Sequence, residues 1–175
     1  MYGGQSMGVI KIIVLPLIIA LCTILGMKKS RKYETREYIL REAITLFKGI
    51  ENEIKYMLMP LPNAIEITRQ NLKTSLKDVA GDISLKYLNE NLEEKSIAEE
   101  VEKLTELTSY DKQILTLGLT SLGVRDVEGE VSSINLTISN LEDRLKEAVY
   151  DKNKNSKLYK TVGFVTGLMI AVIFI

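Results

Sequence analysis

Both ends of this chain are apolar, and its cations gather on the inner side of each apolar run. Residues 9–27 read VIKIIVLPLIIALCTILGM, with the single charge of Lys11 near the outer edge. A helix of that length covers about 28 Å, close to the hydrocarbon thickness of a bilayer. Residues 161–175 read TVGFVTGLMIAVIFI, about 22 Å of helix. Counted from Leu158, with Lys160 reaching back to the interface, this run also becomes long enough to cross. A cleaved signal peptide carries its basic residues before the apolar run and small residues at its end. Here Lys28, Lys29, Arg31 and Lys32 follow the run, and bulky Leu21 spoils the faint lipoprotein box at Ile19-Ala20-Leu21-Cys22. The pattern predicts an uncleaved anchor over 1–27 and a second transmembrane helix over 158–175.

Orientation follows from the flanking charges. Lys152, Lys154, Lys157 and Lys160 precede the second run, residues 1–7 carry no charged side chain, and no residue follows Ile175. The positive-inside bias then places residues 28–157 in the cytoplasm and both termini outside. The eight flanking cations favour anionic lipid headgroups. Gly163 and Gly167 form a G-x-x-x-G, which lets helix backbones approach closely in lipid. It suits pairing with the first anchor or with a second copy, and equally the ordinary frequency of glycine in membrane helices.

The middle segment carries apolar residues at helical spacing. Leu40, Ala43, Ile44, Phe47, Ile50, Ile54 and Leu58 form one stripe, closed by Pro60-Leu61-Pro62, with Pro62 suited to open the next helix. Ile65, Leu72, Leu76, Val79, Ala80, Ile83 and Tyr87 continue it, with a break expected at 71–75. Ser96 with Glu99 reads as a capping box, and Thr108 with Asp111 as a weaker one. Gly123 suits a left-handed helix end and Asp126 an N-cap. Val127, Val131, Ile134, Ile138, Leu141, Leu145 and Ala148 step by four and three, a strict heptad seam able to pack within one bundle or between two chains. No proline follows Pro62, so this helix is expected to run toward the C-terminal apolar segment, with 151–156 as its hinge. The expected fold is all-α: a cytoplasmic bundle of about six helices over 28–157, flanked by the two transmembrane helices.

Chemistry is sparse. The chain has no histidine, which excludes His-dependent triads, His-ligated zinc and haem sites and Glu-x-x-His di-iron sites. A single cysteine, Cys22, permits no intrachain disulfide and reads as a packing residue. There is no Walker-type loop, and Gly118, Gly123 and Gly129 are isolated in helical text. Glu51 and Glu53, two apart, face different sides of a helix. Glu99, Glu102 and Glu106 share a face that is a solvated surface, a cation site or a contact for a basic partner. Tyr38, Tyr56, Tyr87 and Tyr110 fall at packing positions, so no nucleic-acid partner is expected. No catalytic residue, metal or cofactor is expected, and the chain reads as a non-enzyme.

Three stretches carry a resemblance. Residues 47–64, FKGIENEIKYMLMPLPNA, contain an E-I-x-Y…P-L-P-x-A segment. Residues 122–142, LGVRDVEGEVSSINLTISNLE, hold an L-G…D motif and the following helix, and residues 154–175 open on K-N-x-K-L-Y before the terminal apolar run. In this order, with the N-terminal anchor, they resemble the stage III sporulation protein AB family of endospore-forming bacteria over essentially the whole chain. Glu130 departs from the pattern, standing where the family usually has glutamine, and a charge there speaks against a buried hydrogen-bonding role.

The resemblance implies a component of the channel joining mother cell and forespore, in the mother-cell membrane facing the forespore. The family's helical domain is similar to those of platform proteins in type II secretion and type IV pilus machines. It implies partnership with a cytoplasmic secretion-type ATPase, stage III sporulation protein AA, and with other channel membrane proteins. For that interface the loops interrupting the helices are the expected contacts: Glu53, Tyr56, Pro60, Leu61 and Pro62 from the first stretch, and Leu122, Gly123, Asp126 and Glu130 from the second. Pro60, Pro62, Gly123 and Asp126 also have purely structural reasons to be where they are. The rival reading is a two-anchor scaffold or sensor that self-associates through the heptad helix.

Overall fold

The computed structural model describes residues 3–89 and 93–174, with side chains described for 16, 17, 20–89, 93–159, 161–170 and 172. Six helices follow one another: α1 (Gly3–Met57), α2 (Leu61–Arg69), α3 (Leu76–Leu88), α4 (Glu94–Glu102), α5 (Ser109–Thr120) and α6 (Val127–Phe174). Among the described residues there is no strand, so the fold is all-α. The chain divides into two units, Thr35–Val149 and a second made of Met1–Glu34 with Tyr150–Ile175.

In the Thr35–Val149 unit, α1 presents Leu40, Ala43, Ile44, Phe47, Ile50 and Ile54 to the core, and Phe47 is fully buried. Ile134, Ile138, Leu141 and Ala148 of α6 join the same cluster. Each leucine, isoleucine or phenylalanine among them contributes roughly 1.5–3 kcal/mol on leaving water. Helices α2 and α3 pack together, as do α3 with α4 and α4 with α5. The break at 71–75 has an electrostatic cause. Glu42 of α1 accepts from the Lys73 N–H at 2.7 Å, the Thr74 N–H at 3.0 Å and the Thr74 hydroxyl at 2.6 Å. A carboxylate so occupied satisfies donors that a continuing helix would have used internally.

Several expectations change. Leu58 falls beyond α1, is 74 % exposed and has φ 49°, so it ends the stripe without joining the core. Tyr38, Tyr56 and Tyr110 are exposed; of the four tyrosines assigned to packing, Tyr87 alone packs on the core. The Ser96–Glu99 box does not form, because α4 begins at Glu94 and puts Ser96 inside its first turn. There the Ser96 hydroxyl accepts from Lys86 Nζ at 2.7 Å. Thr108 with Asp111 forms the full box instead. Residues 151–156 are helical, and the division between the two units falls just before them, between Val149 and Tyr150. The heptad seam is committed inside its own unit through Ile134, Ile138, Leu141 and Ala148, which removes its centre from any pairing between chains.

In the other unit, α1 and α6 come into close contact. A Cβ on Gly26 would lie 2.5 Å from the Tyr159 carbonyl oxygen and 3.2 Å from Gly163 Cα, and a Cβ on Gly163 would lie 2.8 Å from the Cys22 carbonyl oxygen. Gly163 of the expected G-x-x-x-G thus meets Gly26 of the same chain, and Gly167 is buried. The hydroxyls of Ser30 and Ser156, both buried, stand 2.6 Å apart. In a Cys22→Ala background, Ser30→Cys with Ser156→Cys should therefore oxidise to an intrachain disulfide, seen as a mobility shift without reductant. Adding Gly163→Val should sharply lower that yield; an unchanged yield would contradict the close approach.

Among the described residues no helix is long and apolar enough to cross a membrane, so the transmembrane helices expected at 1–27 and 158–175 gain no support there. Within those two runs, residues 1, 2 and 175 and the side chains of 3–15, 18, 19, 160, 171, 173 and 174 lie outside the described residues.

Candidate functional site

The start of α2, which follows the loop after α1, and the loop joining α5 to α6 meet in the Thr35–Val149 unit. The loop after α1 turns through Leu58, whose left-handed φ is unusual for a branched side chain, and the Met59 N–H closes the turn on the Glu53 carbonyl at 3.2 Å. Extended Pro60 then caps α2, its carbonyl accepting from the Asn63 and Ala64 N–H groups at 3.0 Å each. Pro62 sits in the first helical turn, where its missing donor costs nothing. Its carbonyl accepts from the Ser84 hydroxyl at 2.9 Å, tying α2 to α3.

The second loop turns at Gly123, with φ +78°. A Cβ there would stand 3.2 Å from Leu61 Cδ2 and 3.9 Å from Tyr87 Cε1, so Gly123 lies against the first residue of α2 and against α3. Gly123→Ala should cost roughly 1–2 kcal/mol from the left-handed conformation alone. A denaturant midpoint unchanged from that of the parent chain would contradict this. Asp126 caps α6 by accepting from the Gly129 N–H at 3.1 Å.

Tyr87 and Glu130 hold this junction from beneath. The Tyr87 hydroxyl donates to the Leu119 carbonyl, with the Leu122 carbonyl 3.3 Å away. Glu130 is 3 % exposed, and its Oε1 accepts from the Gly123 N–H at 2.7 Å while Oε2 has no hydrogen-bond partner. Burial, and then the Glu130 charge, push the Tyr87 phenol well above its ordinary range. The expectation that a charge at position 130 speaks against a buried hydrogen-bonding role is corrected. The bond is made to a backbone N–H that no helix satisfies, and that need is met whether the acceptor is charged or neutral. Glu130→Gln should retain stability, since it keeps the acceptor and removes a buried charge. Glu130→Ala should cost about 1–3 kcal/mol by orphaning the Gly123 N–H; equal urea midpoints for the two variants would refute that role.

The expected contact residues thus divide. Leu61, Leu122, Gly123 and Glu130 are brought together around Tyr87, which sequence reading assigned only to packing. Leu122 is buried and Gly123 exposed. Glu53 is half-buried and reaches the first loop through its backbone. Tyr56 is exposed, with Lys55 Nζ 5.2 Å from its ring centroid. Near the junction several large apolar side chains are exposed: Tyr56 and Met57 at the end of α1, Leu58 and Val124 in the two loops, and Val127 at the start of α6.

A second polar cluster was not legible at all. Asp111 is fully buried between Arg36 and Arg144. Arg36 Nε donates to Oδ2 at 2.7 Å and Arg144 Nε to Oδ1 at 2.8 Å, while the Thr108 N–H donates to Oδ2 at 3.0 Å. Glu147 pairs with both guanidiniums. Burial pushes the Asp111 carboxyl up, but these donors outweigh it and bring the group down to about 2. A carboxylate this saturated has no lone pair free for chemistry, so the cluster is a clasp between α1, α5 and α6.

The acidic face of α4 is partly neutralised within the chain. Glu100 pairs with Lys86 at 3.0 Å and Glu102 with Lys112 at 2.6 Å. Among the described residues no group of three or more acidic or cysteine side chains is placed to hold a metal ion.

A family model described as Stage III sporulation protein AB matches residues 11–175. No curated protein and no solved structure matches the chain.

Proposed function

This chain belongs to the stage III sporulation protein AB family, and from that premise we propose that it is a non-enzymatic platform component of the channel joining mother cell and forespore. In this reading it couples a cytoplasmic secretion-type ATPase, stage III sporulation protein AA, to the membrane-embedded part of the complex. Supporting it is the junction of α2 with the α5–α6 loop: a rigid scaffold, clamped by Tyr87, Glu130 and Gly123, that presents Met57, Leu58 and Val124 to solvent. Exposed apolar side chains on a fixed frame are what a partner surface needs, since little ordering is left to oppose binding. Nucleotide-driven movement of the ATPase would then be transmitted mechanically.

The apolar ends are proposed as membrane spans in the mother-cell membrane, with the loop junction on the cytoplasmic side. The reading rests on the nearly uncharged run 9–27, the terminal run 158–175 and the cations on their inner flanks. The approach of Gly26 to Gly163 suits a helix pair in lipid, where packing of small residues replaces the hydrophobic drive. A protease added outside intact cells should leave the middle segment uncut.

The deciding experiment is a titration of the full-length chain, in detergent or nanodiscs, against the ATPase. Leu58→Asp and Val124→Asp should each weaken binding by about tenfold or more, as for a charge placed in the apolar centre of an interface. Glu53→Ala should weaken it less, and Glu99→Ala not at all. Loss through Glu99→Ala alone would move the contact to α4. No binding in any nucleotide state would end the proposal.

A further inference from the structure

We infer that the cations flanking the two apolar runs form a single collar that binds the headgroups of anionic phospholipids. In sequence they are two separate clusters. In the unit made of Met1–Glu34 and Tyr150–Ile175 they are drawn to one level by contacts 126 residues apart in the chain, the Ser30 and Ser156 hydroxyls standing 2.6 Å from each other. The rings of Tyr33 and Tyr159 stack at 5.9 Å, and Lys29 Nζ lies 4.7 Å from the Tyr159 centroid. Lys28, Lys29, Arg31, Lys32, Lys154 and Lys157 are all exposed. Lys28, Arg31, Lys32 and Lys157 make no ion pair among the described residues, whereas the cations of the other unit repeatedly do.

The charge is also partitioned between the units. Nine of the 23 cations but only two of the 23 acids, Glu34 and Asp151, fall in the unit with the apolar runs, and fourteen cations and twenty-one acids in Thr35–Val149. The unit with the apolar runs thus carries a positive excess and Thr35–Val149 a negative one. Cations at the inner boundary of two apolar runs, with tyrosines at the same level, match the layered chemistry of a bilayer: hydrocarbon, amphipathic rings, then phosphate. An acidic protein or a nucleic acid would match the charge but not the adjoining apolar runs. Each cation near such a surface contributes about fivefold to partitioning.

The inference rests on the membrane reading, and its test separates the two. The full-length chain and the variant Lys28→Gln/Arg31→Gln/Lys32→Gln/Lys157→Gln are reconstituted in vesicles of phosphatidylcholine with phosphatidylglycerol. Alkaline carbonate extraction reports the spans. Spin-labelled phosphatidylglycerol and phosphatidylcholine report the collar, through their relative share of the motionally restricted lipid. A preference for phosphatidylglycerol of about threefold or more is expected, falling toward unity in the variant and at high salt. Equal association of both lipids, or a preference that the variant keeps, overturns the collar while leaving the spans intact. A preference removed by inorganic phosphate but kept in sodium chloride of the same ionic strength also overturns it, because the site would then be one for a free anion. If carbonate strips the chain, the spans fail. The collar then stands if untreated vesicles retain the chain only when they contain phosphatidylglycerol, and falls if they do not.

Discussion

Asp111→Ala is expected to destabilise the bundle by about 3–5 kcal/mol, because it removes the buried carboxylate to which Arg36, itself 4 % exposed, and Arg144 both donate. The substitution also removes half of the capping box that opens α5, since Asp111 Oδ2 accepts from the Thr108 N–H. Urea unfolding followed by circular dichroism reads the effect directly, and a loss under about 1 kcal/mol would mean that the clasp is only a surface pair. The same carboxylate sets an acid limit. Its folded value of about 2 lies below the roughly 3.9 of an unfolded aspartate, so the folded state binds fewer protons. Its contribution, about 2–3 kcal/mol, is complete above about pH 4 and disappears as the pH falls through about 2. The parent chain should therefore lose stability across that window, and the Asp111→Ala chain should lose markedly less.

Gly118→Ala is expected to cost up to about 3 kcal/mol, although alanine is the better helix former. A Cβ at position 118 would overlap Thr137 Cγ2 of α6 and stand 2.9 Å from Phe47 Cζ of α1. Three helices meet there, and the fully buried Phe47 ring has no room to withdraw. Thr137→Ser removes the methyl group and keeps the hydroxyl that donates to the Ser133 carbonyl. In the Gly118→Ala background it should recover a substantial part of the loss, whereas alone it should slightly destabilise. Additive effects in that double-mutant cycle would show that the two positions do not collide.

Local chemistry was the part open to sequence reading. The stripe from Leu40 to Ile54, the left-handed end at Gly123, the cap at Asp126 and the Thr108–Asp111 box all depend on residues within a few positions of one another. Where the reading failed, the deciding fact was tertiary. Ser96 has the spacing of a cap, but α4 starts earlier and gives Ser96 to Lys86. Tyr38, Tyr56 and Tyr110 have packing spacing, yet all three stay exposed.

Sequence by itself determined that this chain is a succession of helices, where most of them begin and end, and which family it belongs to, because periodicity, caps and motif order are properties of neighbouring residues. Only the tertiary structure decided that Glu130 is buried beneath Gly123, that Gly163 meets Gly26, and that Asp111 joins Arg36 to Arg144. Those pairs are separated by up to 137 positions (from Gly26 to Gly163), and their energies come from desolvation and close packing, which exist only once the helices are assembled.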